Sequence, residues 1–295
     1  MSEEILHLRE EVMPYLARSD EERMAFINKP KWLGHAKAKQ LILKMEDLLN
    51  HPASHRMPNI VIKAETNNGK SSILNKFLEL HPTYEDFTQN RIIIPVISFE
   101  IPSNPKPDAI YHELLRALRL PFRTSYSEDT KREMIRQGFI DFGVRMMTID
   151  EVHVISNTTR LVKMQLLDTI KYLSNRLRVP IVAAGTKEAH VTLLSDPQTA
   201  NRFEPYLLPQ WKLDDEFRSL IASFERLIPL RYKSGLDDPA ITTKIYAETE
   251  GWIGEVHSYL ALAAITAIKN GTEKITLDHL RKLDWLNPSK RRIVA

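Results

Sequence analysis

The residues Ala64-Glu65-Thr66-Asn67-Asn68-Gly69-Lys70-Ser71-Ser72 have the types and spacing to hold phosphate. They follow a short β-rich run, Asn59-Ile60-Val61-Ile62-Lys63, and lead into a helical period from Lys70 to Leu80. The phosphate-loop pattern G-x-x-x-x-G-K-[ST] is met at each fixed position except the first, where Ala64 stands in place of Gly. A strand–loop–helix context matters because the first N–H groups of a helix have no backbone partner and face an anion, with the helix dipole adding favourable potential. In that frame Thr66, Asn67, Asn68, Gly69, Lys70, Ser71 and Ser72 cradle a nucleotide. Gly69 allows close backbone approach, Lys70 reaches the β- and γ-phosphates, and the Ser71 hydroxyl ligates Mg²⁺. The Ala64 methyl is tolerable at negative φ and costly at positive φ.

A second chemical feature lies 80 residues beyond Lys70: the apolar run Arg145-Met146-Met147-Thr148-Ile149 ends in Asp150-Glu151. By itself a strand ending in two carboxylates also fits a helix cap or a solvated turn. Paired with a phosphate loop, Asp150 fits a Mg²⁺ ligand and Glu151 a general base for the attacking water. Open α/β sheets bind ligands at the carboxyl ends of their strands, which puts both features at one edge. A third run, Ile181-Val182-Ala183-Ala184, ends in Gly185-Thr186. The Thr186 hydroxyl suits a γ-phosphate or its attacking water, and equally an ordinary strand-to-helix turn.

The elements that must carry these groups alternate. Strands are expected at Asn59–Lys63, Arg91–Phe99, Arg145–Ile149, Ile181–Ala184 and Tyr206–Leu208, with Pro95 marking an edge or bulge in the second. Helices are expected at Ala36–Leu49, Lys70–Leu80, Asp108–Leu118, Thr130–Phe142, Leu161–Leu177 and Lys187–Leu194. Such alternation implies an α/β fold, a parallel sheet covered by helices on both faces. After Trp211 only helices follow, at Asp214–Leu227, Pro239–Glu250, Ile253–Lys269 and Leu277–Leu283. The organisation read from this is a helical arm over 1–30, a nucleotide-binding domain over 31–212, a small α-helical lid domain over 213–288 and a basic tail over 289–295.

Composition narrows the classes. The 295 residues have room for one large or two moderate domains at roughly 150 residues each. There is no Cys, which removes disulfides, cysteine zinc sites, iron–sulfur clusters and thiol catalysis, and fits a cytoplasmic location. Lys and Arg total 41 against 38 Asp and Glu, a net charge of +3 that leaves any nucleic-acid contact to local patches. The acidic start, Met1-Ser2-Glu3-Glu4, precedes no long apolar run, so no signal peptide is expected. The apolar stretch Tyr259–Ile268 is about half a membrane span, so no membrane partner is expected either. His51 and His55 have i, i+4 spacing, but Pro52 intervenes and no nearby carboxylate completes a triad, so no zinc site is expected.

Read in order, several strings resemble the TniB family of transposition ATPases, relatives of the TnsC and MuB regulators within the AAA+ group. They are His51-Pro52 through His55-Arg56-Met57-Pro58-Asn59, Thr66-Asn67-Asn68-Gly69-Lys70, Ile149-Asp150-Glu151-Val152-His153, Leu173-Ser174-Asn175, Gly185-Thr186-Lys187-Glu188-Ala189, Ser195-Asp196-Pro197-Gln198, Asn201-Arg202-Phe203-Glu204-Pro205 and Gly251-Trp252-Ile253-Gly254-Glu255. The resemblance implies an AAA+ P-loop NTPase using ATP and Mg²⁺. It would bind double-stranded DNA with little sequence preference, assemble on it as a homo-oligomer, and recruit a DDE-type transposase, with a TniQ-type targeting protein as a further partner. It also implies a sensor-1 role for Thr186, an arginine finger at Arg202 (with Arg176 and Arg178 as rivals), and adenine or lid contacts at Trp32, His35, Trp252 and Ile253. Arg202 reads alternatively as a surface residue paired with Glu204, and Trp252 as core packing. No Arg occupies the 251–255 lid string, where many AAA+ proteins carry sensor 2. For DNA the candidates are Arg119 and Arg123, within a basic stretch from Lys106 to Arg136, and Arg160 and Lys163. Each also fits a solvated helix face. The tail Lys290-Arg291-Arg292 reads as a partner contact or a disordered end. Two other readings stay open: a helicase loader or replication initiator, and a nucleotide-switched scaffold without DNA affinity.

Overall fold

A computed structural model describes residues 7–54, 56–194 and 200–294. The described residues fall into two compact units, one within Ala36–Pro209 and the other within Met1–His35 and Gln210–Ala295.

The first unit is built on five strands: β1 (Asn59–Lys63), β4 (Val96–Glu100), β5 (Met146–Asp150), β6 (Ile181–Gly185) and β7 (Phe203–Leu207). Their order is β4-β5-β6-β1-β7 and every pairing is parallel. Two short strands, β2 (Tyr84–Asp86) and β3 (Arg91–Ile93), form a separate antiparallel hairpin. The run Arg91–Phe99 is therefore two strands, divided at Ile94-Pro95. The Pro95 carbonyl accepts from Arg145 and Met146, and β4 is an edge strand of the main sheet. A residue without an N–H cannot continue a ladder, which explains the break.

In the order of the chain, the helices of this unit are α2 (Ala36–Leu49), α3 (Lys70–Leu80), α4 (Pro107–Ala117), α5 (Glu128–Asp141), α6 (Arg160–Leu177) and α7 (Lys187–Leu194), with a 3₁₀ turn at Val152–Asn157 before α6. Residues Asn59 to Ile62 and all of β5 and β6 are buried, as strands covered on both faces must be. One face packs Val61, Ile97, Phe99, Met147, Ile149 and Ala183 against Ile110, Leu114, Ile135 and Leu166. The alternate residues Ile60, Ile62, Met146 and Val182 are buried on the other face. The strand expected at Tyr206–Leu208 runs from Phe203 to Leu207, three residues earlier at its start.

The second unit joins both ends of the chain. Here a 3₁₀ turn (Met13–Ala17) and α1 (Asp20–Asn28) share a core with α8 (Asp215–Glu225), α9 (Pro239–Thr249), α10 (Ile253–Lys269) and α11 (Leu277–Lys282), and a last helix, α12 (Pro288–Val294), follows. The described residues of the expected arm, 7–30, cluster with this unit, and the division falls at 35/36 and 209/210. Ser19 starts α1 with a reciprocal capping box to Glu22, while Asp214, Asp238 and Thr276 cap α8, α9 and α11 through their side-chain oxygens. Leu8, Val12 and Ile27 are buried with Phe217, Phe224, Val256 and Tyr259. Among the described residues no helix is long and apolar enough to cross a membrane.

A buried ion pair fastens α1 to the connection between α10 and α11. Arg23 is fully buried, donates to Glu273 and to the Pro229 carbonyl, and also meets Asp20. Burial pushes the Glu273 carboxyl up, but the bonds and charge of Arg23 outweigh it and hold it below the usual glutamate range. A depressed folded value means that the stabilisation is present above the unfolded pKa and is lost as pH falls through the folded one. Removing one partner strands the other charge away from water. We expect Arg23→Met to cost about 3–5 kcal/mol in chemical denaturation. The double variant Arg23→Met/Glu273→Met should recover at least half of that loss.

Candidate functional site

All five parallel strands deliver their carboxyl ends to one edge, so Lys63, Glu100, Asp150, Gly185 and Leu207 stand along it. The loop Ala64–Gly69 leaves β1 at the centre of that edge and turns into α3. Ala64 is absent from the left-handed residues, its N–H donates to the Gly185 carbonyl at 3.1 Å, and its methyl is buried without the strain that a positive φ would bring. The inverted positions are Asn67 (φ 60°) and Gly69 (φ 84°). Asn is one of the few side-chain-bearing residues that adopts this region readily. Alternation of right- and left-handed residues turns successive N–H groups into a concave anion-binding nest. Lys70 lies along the inside of the loop, 6% exposed, with Nζ donating to the carbonyls of Ala64 (2.8 Å) and Glu65 (2.9 Å). Burial lowers its pKa, opposed by the charges of Asp150, Glu151 and Glu65.

Across the edge, Ser71 Oγ donates to Asp150 Oδ2 at 2.5 Å, although β6 separates β5 from β1. A hydroxyl and a carboxylate in contact, beside a phosphate-binding loop, are the hard oxygen donors that Mg²⁺ prefers, with phosphates and water completing its shell. Among the described residues no cluster of three or more His, Asp or Glu forms a metal cage of its own. The other Asp150 oxygen accepts from the Glu151 N–H at 2.8 Å. Glu151 is itself left-handed (φ 58°), and its carboxylate lies 3.2 Å from His153 Nδ1. A non-glycine residue in this region carries strain that the surrounding structure must hold. Thr186 follows β6, is 8% exposed and donates to Glu188 at 2.5 Å. A methyl on Gly185 would sit 2.4 Å from the Ala189 side chain, so the glycine is what lets α7 start against the strand end.

The family model of the bacterial TniB protein matches residues 23–213. The chain belongs to the TniB family. No curated protein matches the sequence. Among solved structures, the TniB-family chain is similar to the Aeropyrum pernix ORC1 protein in complex with DNA (TM-score 0.62, 14% identity, 92% of this chain and 69% of that one). It is also similar to the Aeropyrum pernix ORC2 protein in its ADPNP–ADP complexes (0.63, 11%, 87% and 70%) and to Cdc6p from Pyrobaculum aerophilum (0.57, 18%, 85% and 67%). At these identities the likeness is one of fold, the AAA+ fold of a parallel sheet between helices followed by a helical region.

The remaining sequence candidates of the TniB-family chain fall elsewhere. Arg202 precedes β7 at the amino edge of the sheet, where its carbonyl accepts from Asn59 N, so the sheet separates it from the loop of its own chain. Its guanidinium donates to Asn175 Oδ1; Glu204, its partner in the alternative reading, pairs with Lys44. A cleft of about 740 Å³ opens at this edge, lined in part by Arg56, Asn59, Arg202 and Glu204. Arg178 caps α6 in a left-handed conformation and Arg176 is exposed beside it. Trp32, His35, Trp252 and Ile253 belong to the helical unit. There Trp32 is half-buried, His35 meets Trp211 edge-on at 5.0 Å, Trp252 is the N-cap of α10, and Ile253 packs on the helical core. The 251–255 string lacks an Arg, yet Arg291 of α12 pairs with Glu255 in the first turn of α10 and stacks over Trp285. The basic end is thus a docked helix in its described part.

Of the basic stretch, Arg116, Lys131, Arg132 and Arg136 are each ion-paired within the chain. Arg119 and Arg123 are exposed on the α4–α5 connection, Arg160 is exposed in the first turn of α6, and Lys163 is half-buried one turn on. His51 bonds the Pro52 carbonyl, while His55 and the string Ser195–Gln198 lie outside the described residues. Sequence reasoning overlooked Glu100, which ends β4 in register with Asp150, and the special conformation of Asn67. A carboxylate closing a β-rich run was the available signal for the first; the second had none.

Lys70 is the group through which this loop would hold phosphate. Lys70→Ala should abolish nucleotide binding measured by fluorescent-nucleotide anisotropy, while the melting temperature changes little; undiminished affinity would reject the assignment.

Proposed function

We propose that this chain is a Mg²⁺-dependent ATPase of the bacterial cytoplasm that assembles on double-stranded DNA with little sequence preference and recruits or activates a DDE-type transposase, with a TniQ-type protein as a targeting partner. The observation that carries the ATP site is the Ser71–Asp150 contact beside a buried Lys70 in a left-handed loop. Membership of the TniB family carries the link to transposition.

The residues divide the work as follows. Backbone N–H groups of Thr66 to Ser72 and the Lys70 ammonium bind the phosphates. Ser71 and Asp150 would hold Mg²⁺, which would supply positive charge against the phosphates. Glu151 takes a proton from the attacking water at its carboxylate, after leaving His153, and Thr186 orients that water or the γ-phosphate, after leaving Glu188. Trp32, His35, Trp252 and Ile253 contact the adenine side. Arg202, remote from its own loop, serves a neighbour's γ-phosphate, so turnover depends on assembly. Arg119, Arg123, Arg160 and Lys163 meet DNA phosphates, which neutralise charge without reading bases.

Binding and turnover measurements test this. Glu151→Gln should bind ATP, lose hydrolysis and hold duplex DNA longer than the wild type; DNA anisotropy across a salt series, with no nucleotide, ADP and a non-hydrolysable ATP analogue, should show cooperative, ATP-dependent binding. Absence of duplex binding in every nucleotide state would remove the transposition reading. Arg202→Ala should bind ATP and turn over about 10³-fold more slowly. Mixing it with Lys70→Ala, which keeps the arginine, should restore part of the rate if the arginine acts between subunits. The fold shared with the ORC and Cdc6 structures is equally compatible with a second reading, a replication initiator or helicase loader. That reading predicts stimulation of a helicase rather than of a transposase.

A further inference from the structure

Asn68 sits between the two inverted residues of the phosphate loop, Asn67 and Gly69, and is 5% exposed. Its side chain reaches the two residues that follow β7 and donates both amide hydrogens, one to the Leu208 carbonyl at 2.9 Å and one to the Pro209 carbonyl at 3.0 Å. The orientation is chemically dictated: the flipped amide would set its oxygen against two acceptors. Asn68 Oδ1 is buried without a hydrogen-bond partner, an unfavourable condition that the two donated bonds offset. The Leu208 N–H in turn donates to the Lys63 carbonyl at 2.9 Å. The segment Leu208-Pro209 is therefore fastened to the residue that precedes the loop and to a residue in its middle. Pro209 is the last residue of the sheet unit, and Gln210 begins the helical one.

We infer that Asn68 is a positioning residue that couples the conformation of the phosphate loop to the chain segment leading into the helical unit. The inference rests on the reading of the loop as a nucleotide site. Backbone N–H groups on either side of Asn68 face the anion, so a bound phosphate fixes Asn67 and Gly69. With the backbone fixed, the Asn68 amide has one position, and both bonds to Leu208 and Pro209 are held. Both bonds are present in the loop conformation described, and a bound phosphate would restrict the excursions that break them. The side chain acts through the exit segment and touches neither phosphate nor metal.

Hydrogen–deuterium exchange on the full chain reads this directly. In the wild type, Mg²⁺ with a non-hydrolysable ATP analogue should slow exchange in the peptide spanning Tyr206 to Leu213 by about tenfold, alongside protection of the loop itself. Asn68→Ala removes both donors, and Asn68→Asp keeps the shape while setting a carboxylate against the two carbonyls. In each variant affinity should fall by roughly three- to tenfold, about 1 kcal/mol. At saturating analogue the loop should still be protected while the 206–213 peptide shows no nucleotide response. Thermal melts establish that a variant is folded, and either folded variant decides. A wild-type response of 206–213 in a folded, saturated variant overturns the coupling, as does a wild-type chain that binds the analogue without any change there. Loss of all binding in both folded variants assigns Asn68 to the loop alone and also overturns it. A wild-type chain that binds no nucleotide removes the site reading itself, and direct binding by anisotropy separates that failure from the others.

Discussion

The Ser71–Asp150 hydrogen bond exists only because the main sheet is wholly parallel and β6 lies between β1 and β5. Parallel pairing sends every carboxyl end to one edge. The order β5-β6-β1 then sets the acidic strand about two strand spacings, roughly 10 Å, from the loop strand. The first turn of α3, rising from the loop over the edge, spans that gap. An adjacent β5 would crowd the phosphate position, and a more distant one would leave the hydroxyl and carboxylate apart. The burial of β5 and β6 on both faces and the glycine at 185 follow from the same geometry, since α7 must begin tight against the edge.

At this edge each group suited to chemistry already has a partner. Lys70 bonds two loop carbonyls, Ser71 bonds Asp150, Glu151 faces His153 and Thr186 bonds Glu188. Arg202 at the opposite edge bonds Asn175. Buried polar groups need partners, and these find them among near neighbours. A phosphate held there would replace existing bonds, and its net affinity would be the difference between the two sets. The strained backbone at Glu151 belongs to the same picture: its N–H is committed to Asp150, which fixes where the carboxylate of the next residue begins.

The helical unit rests on different physics. Short helices such as α9 and α11 are marginal alone, and they gain from side-chain caps and from one shared apolar core. The Arg23–Glu273 pair links α1 to the α10–α11 connection, 250 residues away in sequence, and adds specificity of placement more than net stability. Arg291 with Glu255 does the same for the last helix.

What the sequence by itself determined is local. The ends of β1, α2, α3 and α10 follow from apolar periodicity, a glycine before α3 and the turn residues around α10, and the phosphate loop and the acidic strand end were legible because each is a contiguous string. Contacts between distant residues were not legible. Strand order, the division of Arg91–Phe99 at Pro95, Asn175 rather than Glu204 as the partner of Arg202, and the union of both chain ends in one helical unit each depend on which surfaces meet. Asn68 shows the limit most directly: its place in the motif says nothing of its side chain, whose two donors hold carbonyls 140 and 141 residues away. Hydrogen-bond partners are chosen by packing after the chain has collapsed, so that choice belongs to the tertiary structure.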